Sequence, residues 1–241
     1  MKQEYIVFNG HSSKEFGLYI SSDFKMKSAR NDIQVVEIMG RDGAVLIPNK
    51  RLLPVDQTIP FFIKLKSSDR RSLTDVVQEI SAWLHTSTWT ELKFSWDPLY
   101  TYRAIMLEDF EIEETLRKFG KLSITFKLHP VKYLESGKLL STVSNGETIV
   151  NPTALSSKPY FELRGTGNVT VRIGEESMSF KNVSTGINVD CEKCSAWFGQ
   201  TAAYDQLVTD NFLTIKPGVN IIRLDNSSFT LRLRPNWGAK V

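Results

Sequence analysis

The sequence predicts a mainly β protein built from two domains, and three observations lead to that prediction. Short apolar runs recur along the chain and end at turn dipeptides such as Asn9-Gly10, which is typical of strands joined by tight turns. Residues 73–84 alone change to the period of a helix. Near residue 132 the composition shifts to Ser, Gly, Asn, Thr and Pro. We therefore predict an N-terminal β-sandwich with one α-helix and a long β-hairpin over residues 1–132, and a C-terminal β-sandwich or jelly roll over residues 133–241.

Charge and hydropathy limit the classes of partner. The 241 residues include 30 basic and 27 acidic side chains, for a net charge of +3, whereas a nucleic-acid-binding protein usually gathers a larger basic excess into one patch. The basic residues between Lys64 and Arg71 surround Asp69, so we interpret them as a solvated strand end. No apolar run approaches the ~20 residues of a membrane-spanning helix, and no signal peptide is recognised. We expect a protein made in a cytosol, with no membrane partner and no specific nucleic-acid site.

The hairpin is predicted from two extended runs, residues 33–39 and 44–47, that flank Gly40-Arg41-Asp42-Gly43. Extended runs around Asp-Gly are a strong hairpin signal because glycine supplies the positive φ that the turn requires. We predict the turn at Asp42-Gly43 and the hairpin over residues 33–48. Val35, Val36 and Ile38 do not alternate with polar residues. The ribbon is therefore expected either to be buried on both faces or to pack on a neighbouring chain.

The helix is predicted over residues 73–84. Ser72 followed by Asp75 forms a capping box, in which each side chain satisfies a backbone donor at the start of a helix. Apolar residues then recur at the spacing of one helix face, namely Leu73, Val76, Val77, Ile80, Trp83 and Leu84. This stripe indicates a core-facing helix rather than a cofactor seat.

Recognisable catalytic and metal-binding patterns are missing from the sequence. Cys191 and Cys194 form a lone Cys-x-x-Cys without the two further ligands of a zinc site, and we interpret them as reduced structural thiols in a turn between strands. The carboxylates between residues 108 and 114 alternate with Phe110 and Ile112, which is typical of a half-buried strand. The histidines are scattered, and no phosphate loop or nucleophile elbow is present. We expect no enzyme, no catalytic residues, no metal and no cofactor.

Several short motifs, in order along nearly the whole chain, are similar to those of siphophage distal tail proteins. Each is weak alone, and their order and spacing make the resemblance. They are the opening Phe8-Asn9-Gly10 to Phe16-Gly17-Leu18, the Gly40–Gly43 turn, Trp83-Leu84, residues 97–104, residues 124–130, residues 188–192, residues 216–221 and the terminal Arg234-Pro235-Asn236-Trp237. The chain resembles a short form of this family, without insertions in the second domain.

The resemblance implies a structural virion protein with no enzymatic activity, located at the tail tip after assembly in the host cytoplasm. It implies a homohexameric ring formed by residues 1–132, in which the hairpin embraces the neighbouring subunit, and a galectin-like domain over residues 133–241. The ring would connect the major tail tube protein to the tail-associated hub protein and contact receptor-binding baseplate proteins. The suspected subunit-interface residues are Val35, Val36, Ile38, Gly40, Arg41, Asp42, Gly43, Val45 and Ile47.

Two alternatives stay open. The first is a lectin-type module in the C-terminal half that binds a carbohydrate or a protein on an aromatic platform such as Trp197. Galectins use a His-Asn-Arg cluster, and no histidine follows His129, so we expect no galectin-type sugar site. The second is an enzyme, for which the sequence supplies no candidate residues.

Overall fold

The chain forms two compact units. The structure, a computed structural model, describes residues 3–66, 68–108, 110, 112–116, 119–209 and 211–241, with the backbone alone for residues 112–116. The first unit contains residues 1–132 together with residues 240 and 241, and the second contains residues 133–239. In the part of the chain that is described, no helix has the length and apolar content needed to cross a membrane.

The first unit contains a large antiparallel sheet, a separate two-stranded ribbon and one α-helix. The sheet has the strand order β2-β1-β7-β8-β10-β6-β3, with β9 paired to β10, and the ribbon is β4-β5. The elements are β1 (Ile6–Phe8), β2 (His11–Ser12), a 3-10 helix (Ser13–Phe16), β3 (Leu18–Ile20), β4 (Arg30–Glu37), β5 (Ala44–Leu53), β6 (Val55–Lys64), α1 (Leu73–Leu84), β7 (Thr90–Phe94), β8 (Tyr100–Met106), β9 (Ile112–Leu116) and β10 (Phe119–Leu128).

Strands β6 and β10 form the centre of the sheet. They pair over ten residues, from Lys64 opposite Phe119 to Val55 opposite Leu128. Buried and exposed residues alternate along both strands, because successive side chains of a strand point to opposite faces. The sheet curves until β3 reaches the start of β1, where the Ile20 N–H donates to the Glu4 carbonyl at 2.9 Å. The buried faces thereby enclose one apolar core.

Helix α1 covers this core. Ser72 and Asp75 form the capping box at its start, and its buried residues are Leu73, Val76, Ile80, Trp83 and Leu84. The Trp83 Nε1–H donates to the Phe8 carbonyl at 2.8 Å, and the Trp83 ring stacks on Phe16 at 4.8 Å between centroids. One side chain thus fixes the end of the helix to β1 and to the 3-10 helix.

Arg71, the last residue of the basic cluster before α1, connects three segments of the first unit. The Arg71 guanidinium is paired with Asp69 at 2.8 Å and with Glu79 of α1 at 2.5 Å, and it donates to the Glu15 carbonyl at 3.2 Å. Its charge is therefore used within the fold.

The second unit is a sandwich of two antiparallel sheets, with orders β12-β21-β14-β17-β18-β19 and β13-β20-β15-β16. Both sheets contribute to one buried core that includes Phe161, Phe180 and Ile222. The chain passes between the units within β11 (Val131–Leu134) and β22 (Gly238–Lys240). The other elements are a 3-10 helix (Glu135–Lys138), β12 (Ser141–Val143), β13 (Thr148–Asn151), β14 (Tyr160–Arg164), β15 (Gly167–Ile173), β16 (Glu176–Val183), β17 (Gly186–Asp190), β18 (Ser195–Phe198), β19 (Thr201–Ala202), a 3-10 helix (Tyr204–Gln206), β20 (Gly218–Leu224) and β21 (Thr230–Arg234).

The predicted fold class is confirmed. The described residues form mainly antiparallel strands, with α1 as the one α-helix among them. Asp109 and Glu111 of the acidic stretch lie outside the described residues.

The contact of Trp83 with β1 leads to a first prediction. Replacing Trp83 by Phe removes its hydrogen bond to Phe8 and part of its packing, so the free energy of unfolding should fall by about 1–3 kcal/mol. Urea unfolding followed by circular dichroism measures the change. Trp89→Phe is the matched control, because Trp89 is 42% exposed, and it should shift the value by no more than about 0.5 kcal/mol. Equal losses in both variants would contradict the anchoring role.

Candidate assembly surface

Strands β4 and β5 and their connecting loop, residues 30–53, form a ribbon that we call the arm. The arm is a two-stranded sheet of its own, paired from Arg30 opposite Leu53 to Glu37 opposite Ala44. The predicted limits of 33–48 were too narrow at both ends. Arg30 and Asn31 still pair with Leu53 and Leu52, beyond an irregularity in the register between Asn31 and Ile33. Because the outer β4 residues are polar, the apolar pattern could not mark this extension.

The loop at the tip of the arm has six residues, 38–43, so the prediction of a turn at Asp42-Gly43 alone was wrong. The Arg41 N–H donates to the Ile38 carbonyl at 3.2 Å, which closes a first turn before Asp42 is reached. Gly40 at φ 78° and Gly43 at φ 76° both adopt the left-handed region, which favours glycine. The first glycine permits the turn at residues 38–41, and the second returns the chain into β5.

Both faces of the arm are apolar. Directly opposite residues of two antiparallel strands point to the same side, and the register therefore divides the apolar residues into two sets. One face carries Ile33, Val35, Leu46 and Pro48, and the other carries Val36, Val45 and Ile47. The exposed fractions are 43% for Ile33, 61% for Val35, 61% for Leu46 and 45% for Ile47, with Met39 at the tip fully exposed.

The predicted alternative of a ribbon buried on both faces within its own chain is contradicted by these exposures. Removing a Val, Leu or Ile side chain from water stabilises a protein by about 1.5–3 kcal/mol, and a solitary two-stranded hairpin is marginally stable at best. A ribbon with apolar side chains on both faces and no covering layer therefore has the composition of an association surface.

The base of the arm is fixed by polar contacts. Gln57 of β6 is fully buried; its Oε1 accepts from the Lys27 N–H at 2.8 Å, and its Nε2 donates to the Lys25 carbonyl at 2.9 Å. The Ala29 N–H donates to the Val241 carbonyl at 2.7 Å. These bonds secure the segment that leads into β4, so the arm leaves the first unit from a defined position.

An ion pair joins the two strands near this base. The Arg51 Nε lies 2.6 Å from the Asp32 Oδ2. The hydrogen bond from Arg51, followed by one from Asn49, lowers the pKa of the Asp32 carboxyl. Asp32 therefore stays charged across the physiological range, and the pair holds the irregular part of the register without adding net charge to the arm.

All the residues suspected from the sequence lie in the arm, in two groups. Four of them lie in the paired strands, namely Val35, Val36, Val45 and Ile47. The other five, residues 38 and 40–43, lie in the loop. The sequence reasoning missed four apolar residues of the same ribbon, which are Ile33, Met39, Leu46 and Pro48. Assuming direct pairing across the hairpin could have assigned Leu46 to the face of Val35.

Metal ligands and reactive thiols are the other groups that could form a functional site. Among the residues that the structure describes, no three His, Cys, Asp or Glu side chains are grouped to hold a metal ion. Cys191 is buried, and burial raises the pKa of its thiol to about 12, which leaves it a poor nucleophile at neutral pH. The arm is therefore the candidate functional site that the geometry favours.

The chain is similar to known phage tail components. Residues 11–128 match the family described as the phage tail protein RIFT-related domain. The Dit (gp 19.1) protein of SPP1, presented as a paradigm of the hub adsorption apparatus in Gram-positive infecting phages, has a TM-score of 0.76 at 14% identity, covering 97% of this chain and 99% of that chain. A chain of the phage P2 baseplate in its activated conformation with Ca has a TM-score of 0.50 at 9% identity, covering 100% and 99%. No curated protein matches the sequence.

The exposure of the arm leads to a second prediction. Replacing Val35 and Leu46 together by Thr should change the free energy of unfolding of the monomeric protein by no more than about 0.5 kcal/mol, because exposed residues contribute little. Urea unfolding at high dilution measures the value. The control is Ile59→Thr in β6, which is fully buried and should cost at least about 2 kcal/mol. A similar loss in the arm variant would mean that the arm belongs to the core of the monomer.

Proposed function

We propose that this chain closes a homohexameric ring at the tail tip, because residues 11–128 match the phage tail protein RIFT-related domain family. The resemblance to siphophage distal tail proteins is confirmed by this family match and by the fold shared with the SPP1 protein. The protein is a structural component of the phage tail. The ring would connect the tail tube to the hub, and this role requires neither catalysis nor a cofactor.

The observation that carries the proposal is the two-faced arm. Its apolar side chains point to both sides of a ribbon that is one layer thick, so a partner must cover two faces to remove them from water. A neighbouring copy of the same chain can do so if the arm of each subunit lies on the next. Such a head-to-tail contact closes into a ring when the rotation between subunits divides a full turn.

Charge also favours another copy of the chain over nucleic acid. The arm, residues 30–53, carries four basic and three acidic residues, with Arg41 beside Asp42 at its tip and the Arg51–Asp32 pair at its base. Opposite charges so close together produce little net field, whereas binding to phosphates requires a basic surface. The interaction that we propose is therefore the burial of apolar residues between subunits.

The roles of the two units follow the same proposal. Residues 1–132 would form the ring, and residues 133–241 would form a peripheral galectin-like domain, supported by the two-sheet sandwich of the second unit. The faces of the ring would meet the major tail tube protein, the tail-associated hub protein and receptor-binding baseplate proteins. The description of the SPP1 protein as part of a hub adsorption apparatus supports these partners.

The mass of the protein in solution tests the ring. Light scattering on a sizing column should give a discrete species near six times 27.4 kDa for the wild-type chain. The paired substitution Val35→Glu with Leu46→Glu should leave folded monomers, because it buries two unpaired carboxylates at the proposed contact. Deleting residues 33–48 should have the same effect.

The matched control places two glutamates on another exposed apolar pair. Val150 and Val219 lie directly opposite each other in the second unit, at 56% and 70% exposure. Val150→Glu with Val219→Glu should leave the hexamer intact. Hexamers that persist in the arm variant, or a wild-type chain that is monomeric at every concentration, would contradict the proposed ring.

A specific surface favours a second candidate function, a lectin-type binding module. The outward side of the six-stranded sheet, which we call the aromatic face, combines two aromatic rings with polar side chains. Its members are Tyr160, Glu162, Arg164, Asn188, Trp197, Arg232 and Arg234, which the strand registers place side by side.

Only some of the polar groups on the aromatic face have hydrogen-bond partners. Glu162 accepts from the Tyr160 hydroxyl at 2.9 Å, from Arg232 at 3.2 Å and from Arg164 at 3.3 Å. Among the described residues, the Asn188 Oδ1 and the Arg234 Nε find no hydrogen-bond partner. Both atoms are buried, so the groups open to a ligand are the partly exposed Tyr160 and Trp197 rings and the exposed Arg232. Aromatic rings beside a guanidinium donor suit a ligand with apolar ring faces and hydroxyl groups. This combination supports carbohydrate as the ligand of the second candidate.

A glycan array with the full chain tests this candidate. A bound glycan should lose at least about tenfold in affinity with Trp197→Ala, because an aromatic contact of about 1.4 kcal/mol corresponds to that factor. The control is Trp89→Ala, which changes an exposed tryptophan of the first unit and should bind like the wild type. No binding at high protein concentration, or binding unaffected by Trp197→Ala, would remove the candidate.

A further inference from the structure

Cys191 and Cys194 begin and end the four-residue connection between β17 and β18. The last pair of the ladder is Asp190 opposite Ser195, and the pair before it is Val189 opposite Ala196. Val189 and Ala196 point into the buried core. Residues 191–194 form a turn, in which Cys194 adopts the left-handed region at φ 50°. The turn places the two cysteines at its two ends, with Cys191 buried and Cys194 exposed.

The two thiols line one cleft. Cys191 and Cys194 share this cleft with Lys158, Glu176 and Phe212, among other residues. The Cys194 Sγ lies 3.9 Å from the Cys191 carbonyl, to which it donates, so the outer thiol is folded back towards the inner cysteine. Neither cysteine is in a disulfide.

The two thiols differ in access. Cys191 is 2% exposed and belongs to the core of the second unit, whereas Cys194 is exposed. Burial raises the pKa of the Cys191 thiol to about 12, and the thiolate is the reactive form. An oxidant in solution therefore meets Cys194 first.

We propose that Cys191 and Cys194 are a modification site that closes to an intramolecular disulfide in an oxidising medium. The first and fourth residues of a β-turn have Cα atoms less than about 7 Å apart, which overlaps the separation of about 4.4–6.8 Å that disulfides adopt. The turn of residues 191–194 thus supplies the spacing, and the shared cleft brings the two side chains to one place. This inference does not depend on the ring.

The reaction needs a small disulfide, such as oxidised glutathione, as the oxidant. The Cys194 thiolate attacks one sulfur of that molecule, and a mixed disulfide forms as the first small thiolate leaves. The Cys191 thiol then loses its proton to solvent, and its sulfur attacks the Cys194 sulfur and expels the second small thiolate. The protein loses two protons and two electrons, and the small disulfide is reduced to two thiols.

A protein of the phage tail, as proposed above, would expose Cys191 and Cys194 first to a reducing and then to an oxidising medium. Cytosolic thiols are kept reduced, whereas disulfides persist on the surfaces of virions. A tail protein that assembles in the host cytosol would hold two thiols until the particle is released, and the disulfide would then link the ends of β17 and β18. The second of these strands carries Trp197 of the aromatic face.

Mass spectrometry of the full chain tests the proposal. The reduced protein is equilibrated with oxidised glutathione, and the intact mass should fall by two hydrogen atoms with no thiol left to alkylate. Trypsin cleaves after Lys193, which lies between the two cysteines. The peptides that contain Cys191 and Cys194 should therefore stay linked until a reductant is added. Closure should accelerate about tenfold per pH unit below the pKa of Cys191, because its thiolate fraction rises by that factor.

Single variants show the order of the two steps. Cys191→Ser should keep a stable glutathione adduct on Cys194, because no second thiol can displace it. Cys194→Ser should stay unmodified, because the remaining thiol is buried. Wild-type protein that keeps two alkylatable thiols, retains a glutathione adduct or links only between chains would overturn the proposal, and this measurement does not require the variants to fold.

Discussion

A two-stranded ribbon has two faces and no interior, so the arm cannot bury its own apolar side chains. In either unit, an apolar residue can be covered by a second layer, which is α1 in the first unit and the facing sheet in the second. The arm has no such layer, yet its paired strands place Val35 and Leu46 on one side and Val36 and Val45 on the other. Exposed apolar surface of this kind marks an interaction site, and the ring that we propose would supply both missing layers.

The first unit is complete without the arm. Trp83 fixes α1 to β1 through the Phe8 carbonyl, and the buried Gln57 bonds to the segment before β4. The core is thus closed, and the base of the arm is fixed by contacts that do not involve its apolar faces. Folding and the proposed association consequently use different residues. Substitutions in the arm are expected to alter assembly without altering the free energy of unfolding, whereas substitutions at Trp83 or Gln57 act on the fold itself.

Sequence periodicity identified the elements whose partners lie in the same unit. The 3.6-residue period marked α1, which buries one side against the core. A short apolar run that ends at Asn9-Gly10 marked β1. The ends of the arm escaped detection because Arg30 and Asn31 continue the ladder through backbone hydrogen bonds, which leave no pattern in the side chains. The aromatic face escaped for another reason, since residues from Tyr160 to Arg234 come together only when the strand order is known. The cleft that the two cysteines share likewise includes residues distant in sequence, such as Lys158 and Glu176.

The composition of the arm also determines what kind of association it can support. Its charged residues include Asp32 and Arg51, which pair within the same ribbon, and most of the residues between the base and the tip are apolar. Contacts of this kind gain free energy from area removed from water, which ionic strength does not screen and which weakens on cooling. A ring joined by charged pairs would instead loosen as ionic strength rises, because exposed ion pairs are screened. The ring that we propose is therefore better served by an arm with two apolar faces than by complementary charges.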